Sequence, residues 1–254
     1  MARLDLGTVT LCAATSVNLA ATIAALRACL SQAQFAECLL LTDADVDPGT
    51  NDIRVVPIAR LESSRDYSHF MLRHLADHIR TPHCLVVQWD GFVLDASCWH
   101  PGLLDFDYVG APWPQFDDGH DVGNGGFSLR SRKLLAACQD ADFVIGHPED
   151  IAICRTNRSW LESRHGIRFA DRGTAERFAF ERAEPRASFG FHGVFNMIEV
   201  LGADRFWDLY RTLDDPSTAF VDYRTLFREL GQGRDALARR ARLTLDRLRS
   251  LFGR

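Results

Sequence analysis

Apolar positions in the first ninety residues follow two different periods. Thr8-Val9-Thr10-Leu11-Cys12-Ala13 is a short continuous run suited to a buried strand, and behind it Leu19, Ile23, Leu26 and Leu30 recur at the spacing that lines one face of a helix. Cys38-Leu39-Leu40-Leu41-Thr42 and Ile53-Arg54-Val55-Val56-Pro57-Ile58 predict the next strands. Residues 67–80, carrying Phe70, Leu72, Leu75 and Ile79, predict a second amphipathic helix, and Leu85-Val86-Val87-Gln88 a central strand. Strands alternating with helices imply an α/β fold with a mostly parallel central sheet flanked by helices, whose ligands bind beyond the carboxyl ends of the strands. Asp90 falls at such an end.

The second half is less regular. Gly110-Ala111-Pro112-Trp113-Pro114 cannot continue a long helix and reads as a loop-rich half packed on the sheet. From about Asp214 the composition shifts, and residues 234–254 hold seven arginines against two aspartates, with Leu237, Leu243, Leu245, Leu248, Leu251 and Phe252 among them. This pattern predicts a basic amphipathic helix and divides the chain into a domain over residues 1–213 and a helical tail over 214–254. A solvated helix, an oligomer contact and a membrane-surface segment are the readings open to that tail.

Composition narrows the function more than the fold. With 254 residues and 46% hydrophobic content the chain can bury a substantial core. A net charge of -5 argues against a dedicated nucleic-acid binder. Lys133 is the one lysine among 29 basic residues, an arginine bias that genome base composition accounts for as well as binding does. The seven cysteines are scattered and include no C-x-x-C pair, so a reduced, cytoplasmic setting is expected. Asn18 and Arg27 interrupt the apolar run over residues 6–30, no cleavage pattern precedes it, and the chain is expected to start inside its fold.

Four short segments carry the candidate chemistry. In Gln88-Trp89-Asp90-Gly91, a carboxylate at a strand end followed by glycine can reach a divalent cation, or can cap its own turn. Gln88, two residues earlier, shares a strand face with Asp90 and favours the first reading. Gly123-Asn124-Gly125-Gly126-Phe127 permits close backbone approach to a ligand, or is a plain tight turn. Pro148-Glu149-Asp150 opens a helical run; acids there suit the helix dipole, and an Asp so held can also accept a proton from an attacking hydroxyl. Of the pair Glu149 and Asp150, Asp150 is the preferred base. His192, between small residues in Phe189-Gly190-Phe191-His192-Gly193, is a core histidine or a metal ligand brought from a separate loop.

Together with Asp107-Tyr108-Val109-Gly110-Ala111-Pro112-Trp113, these segments resemble a bacterial family of glycosyltransferase-like domains of unknown function, over roughly residues 8–195. More distantly, their order is similar to that of the inverting β-1,3-glycosyltransferases of the Fringe type. The resemblance implies a GT-A-like domain, a nucleoside diphosphate sugar donor, a hydroxyl acceptor on a glycan or glycolipid, and Mn²⁺ or Mg²⁺. Carried over, Asp90 and His192 hold the metal, Gly125 and Gly126 line the pocket, and Asp150 is the base. Gln88 departs from the pattern by standing where the first aspartate of a D-x-D motif would be.

The expected reaction is transfer of a sugar with inversion, in bacterial polysaccharide or glycolipid assembly, with possible sites of action in the cytoplasm and at the inner face of the membrane, where the basic tail would make peripheral contact. Thr10 to Thr15 at the end of the first strand, Ala13 and Thr15 among them, Asp43 after the second, Gln88, and Asn124 with Gly125 and Gly126 are the expected donor contacts. Trp89 and Trp113 are either stacking platforms or core. A catalytically idle sugar-nucleotide binding module and a metal-dependent hydrolase or nucleotidyltransferase are the other classes open to these residues.

Overall fold

A computed structural model describes residues 3–182, 185–233 and 235–252. Six strands form the main sheet: β1 (Leu4–Ala14), β2 (Ala33–Thr42), β3 (Arg54–Pro57), β4 (His83–Val87), β5 (Tyr108–Val109) and β6 (Phe127–Ser131), in the spatial order β3-β2-β1-β4-β6-β5. β1, β2, β3 and β4 pair in parallel, while β6 runs antiparallel to both β4 and β5. β7 (Ala179–Phe180) and β8 (Gly190–Phe191) make a small parallel pair of their own.

The central strands read as continuous apolar runs because both of their faces are covered. Along β1, Val9, Leu11 and Ala13 enter one core cluster with Leu85 and Val87 of β4, and Cys12 and Ala14 enter another with Cys84 and Val86. This is period-two alternation with two buried sides. The helix Leu19–Gln32 covers the first side through Ile23, Leu26 and Cys29; the helix Ser64–Arg73 covers the second through Phe70 and Met71. Emptying one such fully buried position, Leu40→Ala for example, would cost about 2–5 kcal/mol.

The predicted helix over 67–80 starts earlier and is broken. Ser63 caps it by accepting a hydrogen bond from the Asp66 N–H at 3.1 Å, and after Arg73 the chain leaves helical geometry at His74 before the short turn Leu75–His78. Residues 53–58 form a strand only over Arg54–Pro57. All seven cysteines are free thiols, and among the described residues no helix is long and apolar enough to cross a membrane.

The helices Val194–Leu201, Ala203–Tyr210, Tyr223–Glu229 and Ala236–Phe252 share one core with Trp89 and Phe191, built on Met197, Phe206, Leu226, Leu230 and Leu243. The chain after Asp214 is therefore packed against the same residues that follow β4. It is also tied to the end of β1: the Asn18 side chain donates to the Asp215 carbonyl at 2.7 Å and accepts from the Asp215 N–H at 2.9 Å. The outer members of the basic run, Arg234, Gly253 and Arg254, lie outside the described residues.

Candidate active site

The carboxyl ends of β1 and β4 open into a cavity of about 540 Å³. Thr15 and Ser16 follow β1 into its wall, Gln88 and Trp89 follow β4, Ser63, Ser64 and Tyr67 come from a helix start, and Asp215, Ser217 and Thr218 close the remaining side. Hydroxyl and amide side chains are interspersed with apolar ones such as Val17, Leu61 and Trp89, and with Glu62, a mixture suited to the hydroxyls and ring of a nucleoside or sugar. No lysine or arginine is among the described residues that line it. A diphosphate bound there would need its counter-charge from elsewhere.

At the inner end of the cavity the chain turns sharply. The Gly91 N–H donates to the Gln88 carbonyl at 3.1 Å, and the stretch after it runs antiparallel to residues 189–193: Val93 bridges Gly190, and the Gly193 N–H donates to the Asp90 carbonyl at 3.0 Å. That pairing delivers His192 to the end of β4. Its Nε2 lies 3.3 Å from Asp90 Oδ1 and 3.2 Å from Gln88 Oε1, and its Nδ1 lies 3.3 Å from Glu181 Oε1. Burial works against a charge on the imidazole, but Asp90 and then Glu181 outweigh it and raise the pKa to about 10. Asp90 Oδ1 is buried, and apart from this contact with the imidazole it has no hydrogen-bond partner.

The glycine pair stands between this group and the second pair of carboxylates. A Cβ at Gly126 would sit 2.0 Å from His192 Nε2, and one at Gly125 would sit 2.1 Å from Glu149 Oε1. Only a chain without side chains at both positions can pass between them. Asn124 shapes the turn, taking a left-handed φ of 63° and accepting the Gly126 N–H on Oδ1 at 3.1 Å. Beyond it, the Gly125 N–H donates to Asp150 Oδ2 at 3.2 Å, and the Ile151 N–H to Asp150 Oδ1 at 2.8 Å.

The two acids have different surroundings. Glu149 is buried, with Oε1 accepting from Arg130 Nη2 at 3.1 Å and Oε2 within 3.4 Å of the Ser68 hydroxyl. Arg130 is itself fully buried on β6 and also holds the Gly125 carbonyl at 3.2 Å and the Ser128 hydroxyl at 2.9 Å. Asp150 has no such cation against it. Burial first, and the Glu149 charge second, raise its pKa from 3.8 to about 6, against the opposing pull of the Ile151 and Gly125 N–H groups and Arg130.

The predicted residues are thus distributed unevenly. Thr15 and Gln88 line the cavity, whereas Asp90, His192, Asn124, Gly125, Gly126, Glu149 and Asp150 are not among its lining residues; Asp90 and His192 are linked to it through the Gln88 contact with His192, and Asp150 and Glu149 flank the glycine turn on its other side. Ala13 is packed in the core one residue before the wall begins, because alternation along β1 turns its side chain inward. Thr10 is buried at the far end of the sheet, bonded to the Thr81 hydroxyl at 2.7 Å. Asp43 stands 3.7 Å from Arg60 and outside the lining residues. Gln88 and Asp90 both reach His192 Nε2 because the chain turns, not because they share a strand face, since β4 ends at Val87. Trp113 is core, with its ring against Gly123; Trp89 is packed and also lines the cavity.

Three residues of the cluster had no part in the sequence expectation. Arg130 had a legible signal, since Ser128 and Arg130 alternate with Phe127 and Leu129 along β6 and so share a face. Glu181 had none; in Glu181-Arg182 after Phe180 it reads as a surface charge. Tyr67 looked like one more member of an amphipathic helix, yet its hydroxyl is buried at the cavity and unpartnered.

No curated protein matches the sequence. Among solved structures, the apo form of the glycosyltransferase GlyE from Streptococcus pneumoniae TIGR4 is similar, at 12% identity and a TM-score of 0.46, over 85% of this chain and 63% of that one. This chain spans less than two thirds of that protein's length. A family model matches residues 50–192, the stretch that carries Gln88, Asp90, the glycine turn, both acids and His192, and the chain belongs to that family, described as "Protein of unknown function (DUF5672)".

Proposed function

We propose that this protein is a GT-A-like, inverting glycosyltransferase that moves a sugar from a nucleoside diphosphate donor to a hydroxyl acceptor on a glycan or glycolipid. One observation carries the reading: a two-glycine turn has the Asp90–His192 pair with Gln88 on one side, and a raised-pKa carboxylate, Asp150, on the other. Sugar transfer needs both, a means to stabilise the leaving diphosphate and a proton acceptor for the incoming hydroxyl. The cavity beside them has room for a nucleoside.

The residues fit a divalent cation. Asp90 Oδ1 is buried with no hydrogen-bond partner apart from its contact with His192 Nε2, and Glu181 on the other ring nitrogen is the arrangement that orients a ligating histidine. Among the described residues no three His, Cys, Asp or Glu side chains gather around one point. Asp90 and His192 would hold the ion once the imidazole gives up its Nε2 proton, with the Gln88 amide oxygen as a neutral neighbour. Bound Mn²⁺ or Mg²⁺ supplies positive charge against the departing diphosphate, which no lining lysine or arginine offers.

Asp150 acts on the acceptor. Two backbone N–H groups fix its oxygens, and a pKa of about 6 leaves it ionised near neutral pH yet basic enough to take a proton as the hydroxyl attacks. Glu149, held by Arg130 at 3.1 Å, lies beside Asp150 and is a positioning group in this scheme. A cytoplasmic setting and a role in polysaccharide or glycolipid assembly belong to the same proposal.

The test is a panel of nucleoside diphosphate sugars incubated with simple hydroxyl acceptors and Mn²⁺, with products separated chromatographically. A glycoside whose formation is lost in Asp150→Asn is the expected result. Free nucleotide and free sugar without glycoside would point to a hydrolase, and donor binding without any product to an idle binding module.

A further inference from the structure

The helix Ala236–Phe252 has two unlike faces. Leu243 and Arg239 are buried against the body of the protein, and Asp246 accepts the Tyr210 hydroxyl on that side at 3.3 Å. Leu237, Leu245, Leu248, Leu251 and Phe252 stand in solvent, from 44% exposed at Leu248 to 84% at Leu237. Leu245, Leu248 and Phe252 follow Leu237 at steps of eight, three and four residues, so they share one stripe, with Leu251 at its margin. The same spacing puts Arg242 and Arg249 along one border of the stripe and Arg240 and Arg247 along the other. In a chain of net charge -5, this helix carries five arginines against one aspartate.

We propose that this face docks on an anionic lipid surface, with the stripe in the headgroup layer and the flanking arginines against lipid phosphates. An apolar stripe with arginine borders is the pattern that lies flat in a membrane interface. A second copy of the chain fits less well. At 1.5 Å per residue the helix is about 26 Å long, and a strip about 10 Å wide covers about 260 Å², well short of the roughly 800 Å² per partner that a stable interface buries. Self-pairing would also set arginine borders against each other, because Asp246, the one acid of the helix, is already shared by Arg242 at 2.8 Å and Arg249 at 3.7 Å and has no charge to offer a second copy. The remainder of the chain carries a net negative charge, so the attraction to anionic lipid is concentrated on this helix. The docking stands on this helix alone and does not depend on the proposed transfer reaction.

Cosedimentation of the full chain with vesicles tests it, using phosphatidylcholine alone and phosphatidylcholine mixed in equal parts with phosphatidylglycerol. The expected result is capture by the mixed vesicles, much weaker capture by phosphatidylcholine, and release by added salt. The combined variant Leu245→Ser, Leu248→Ser, Leu251→Ser should lower partitioning at least about tenfold with an unchanged thermal melt, because all three side chains are exposed. Arg242→Gln with Arg249→Gln should weaken binding to mixed vesicles alone. Wild-type protein left in the supernatant, a leucine variant that binds as well as wild type, or a wild-type dimer in sedimentation velocity that the leucine variant dissolves, would each overturn the proposal.

Discussion

Asp150→Asn separates a strained catalytic carboxylate from an ordinary acid at a helix start. Folding carries the Asp150 pKa from 3.8 to about 6, so at neutral pH the folded chain holds the ionised carboxylate at a cost the unfolded chain does not bear. That displacement corresponds to at most about 3 kcal/mol of lost stability. The sign follows from the direction: between the two values the folded state binds more protons than the unfolded one, so this group's contribution falls as pH rises from 3.8 to about 6 and stays at its low level above. Asparagine removes the penalty but keeps a single side-chain oxygen, and so gives up one of the bonds from Gly125 and Ile151 N–H, worth about 1 kcal/mol. The expected net is a gain of about 1–2 kcal/mol at about pH 7 and a loss of about 1 kcal/mol at about pH 4. Urea unfolding of both proteins across that range reads it directly. In the same variant, turnover should drop about 10²–10⁴-fold, and the wild-type rate should rise with pH through about 6 and then level. A variant that is less stable at every pH, by a constant amount, would mean Asp150 serves the helix start alone and would refute the reasoning.

Other substitutions test the neighbours. Gly126→Ala must push the imidazole away from Asp90 and Gln88, because its Cβ would stand 2.0 Å from His192 Nε2; a loss of about 1–3 kcal/mol in urea unfolding is expected, and an unchanged midpoint would show that the turn can yield. Arg130→Met leaves Glu149 buried without its cation and should cost about 3–5 kcal/mol in the same assay. In metal-free protein His192, titrated by NMR, should stay protonated well past the ordinary histidine range and lose its proton near pH 10, and a bound divalent cation should displace that proton at lower pH. Its partners therefore stabilise the fold fully below about 6.5, with the benefit lost as pH rises through about 10, and Asp90→Asn should bring the titration down. A wild-type His192 that titrates near 6.5 would contradict the Asp90 contact.

Strands buried on both faces were the most legible part of the chain. Leu39-Leu40-Leu41 and Leu85-Val86-Val87 are apolar because each successive side chain meets a different helix layer. β5 left no trace in the sequence because two residues, Tyr108 and Val109, have no period, and β7 and β8 are equally short. Asp90, the glycine pair, Asp150 and His192 were legible as types in order. Their partnerships were not, since residues 88 and 192 are joined by a pairing of irregular segments that no local pattern encodes. The nucleotide contacts assigned to β1 were misplaced inward: Thr10 and Ala13 look like pocket residues only if the strand is assumed to end sooner than Ala14.

The most direct measurement of the central claim is a calorimetric titration of the matching nucleoside diphosphate sugar, with Mn²⁺, into wild type, Asp90→Ala and Asp150→Asn, paired with turnover of each. Opposite roles on the two sides of Gly125-Gly126 predict that Asp90→Ala loses donor affinity, whereas Asp150→Asn binds donor as wild type does and fails to transfer it. Donor binding that survives Asp90→Ala with and without metal, or near-normal transfer by Asp150→Asn, would contradict the account.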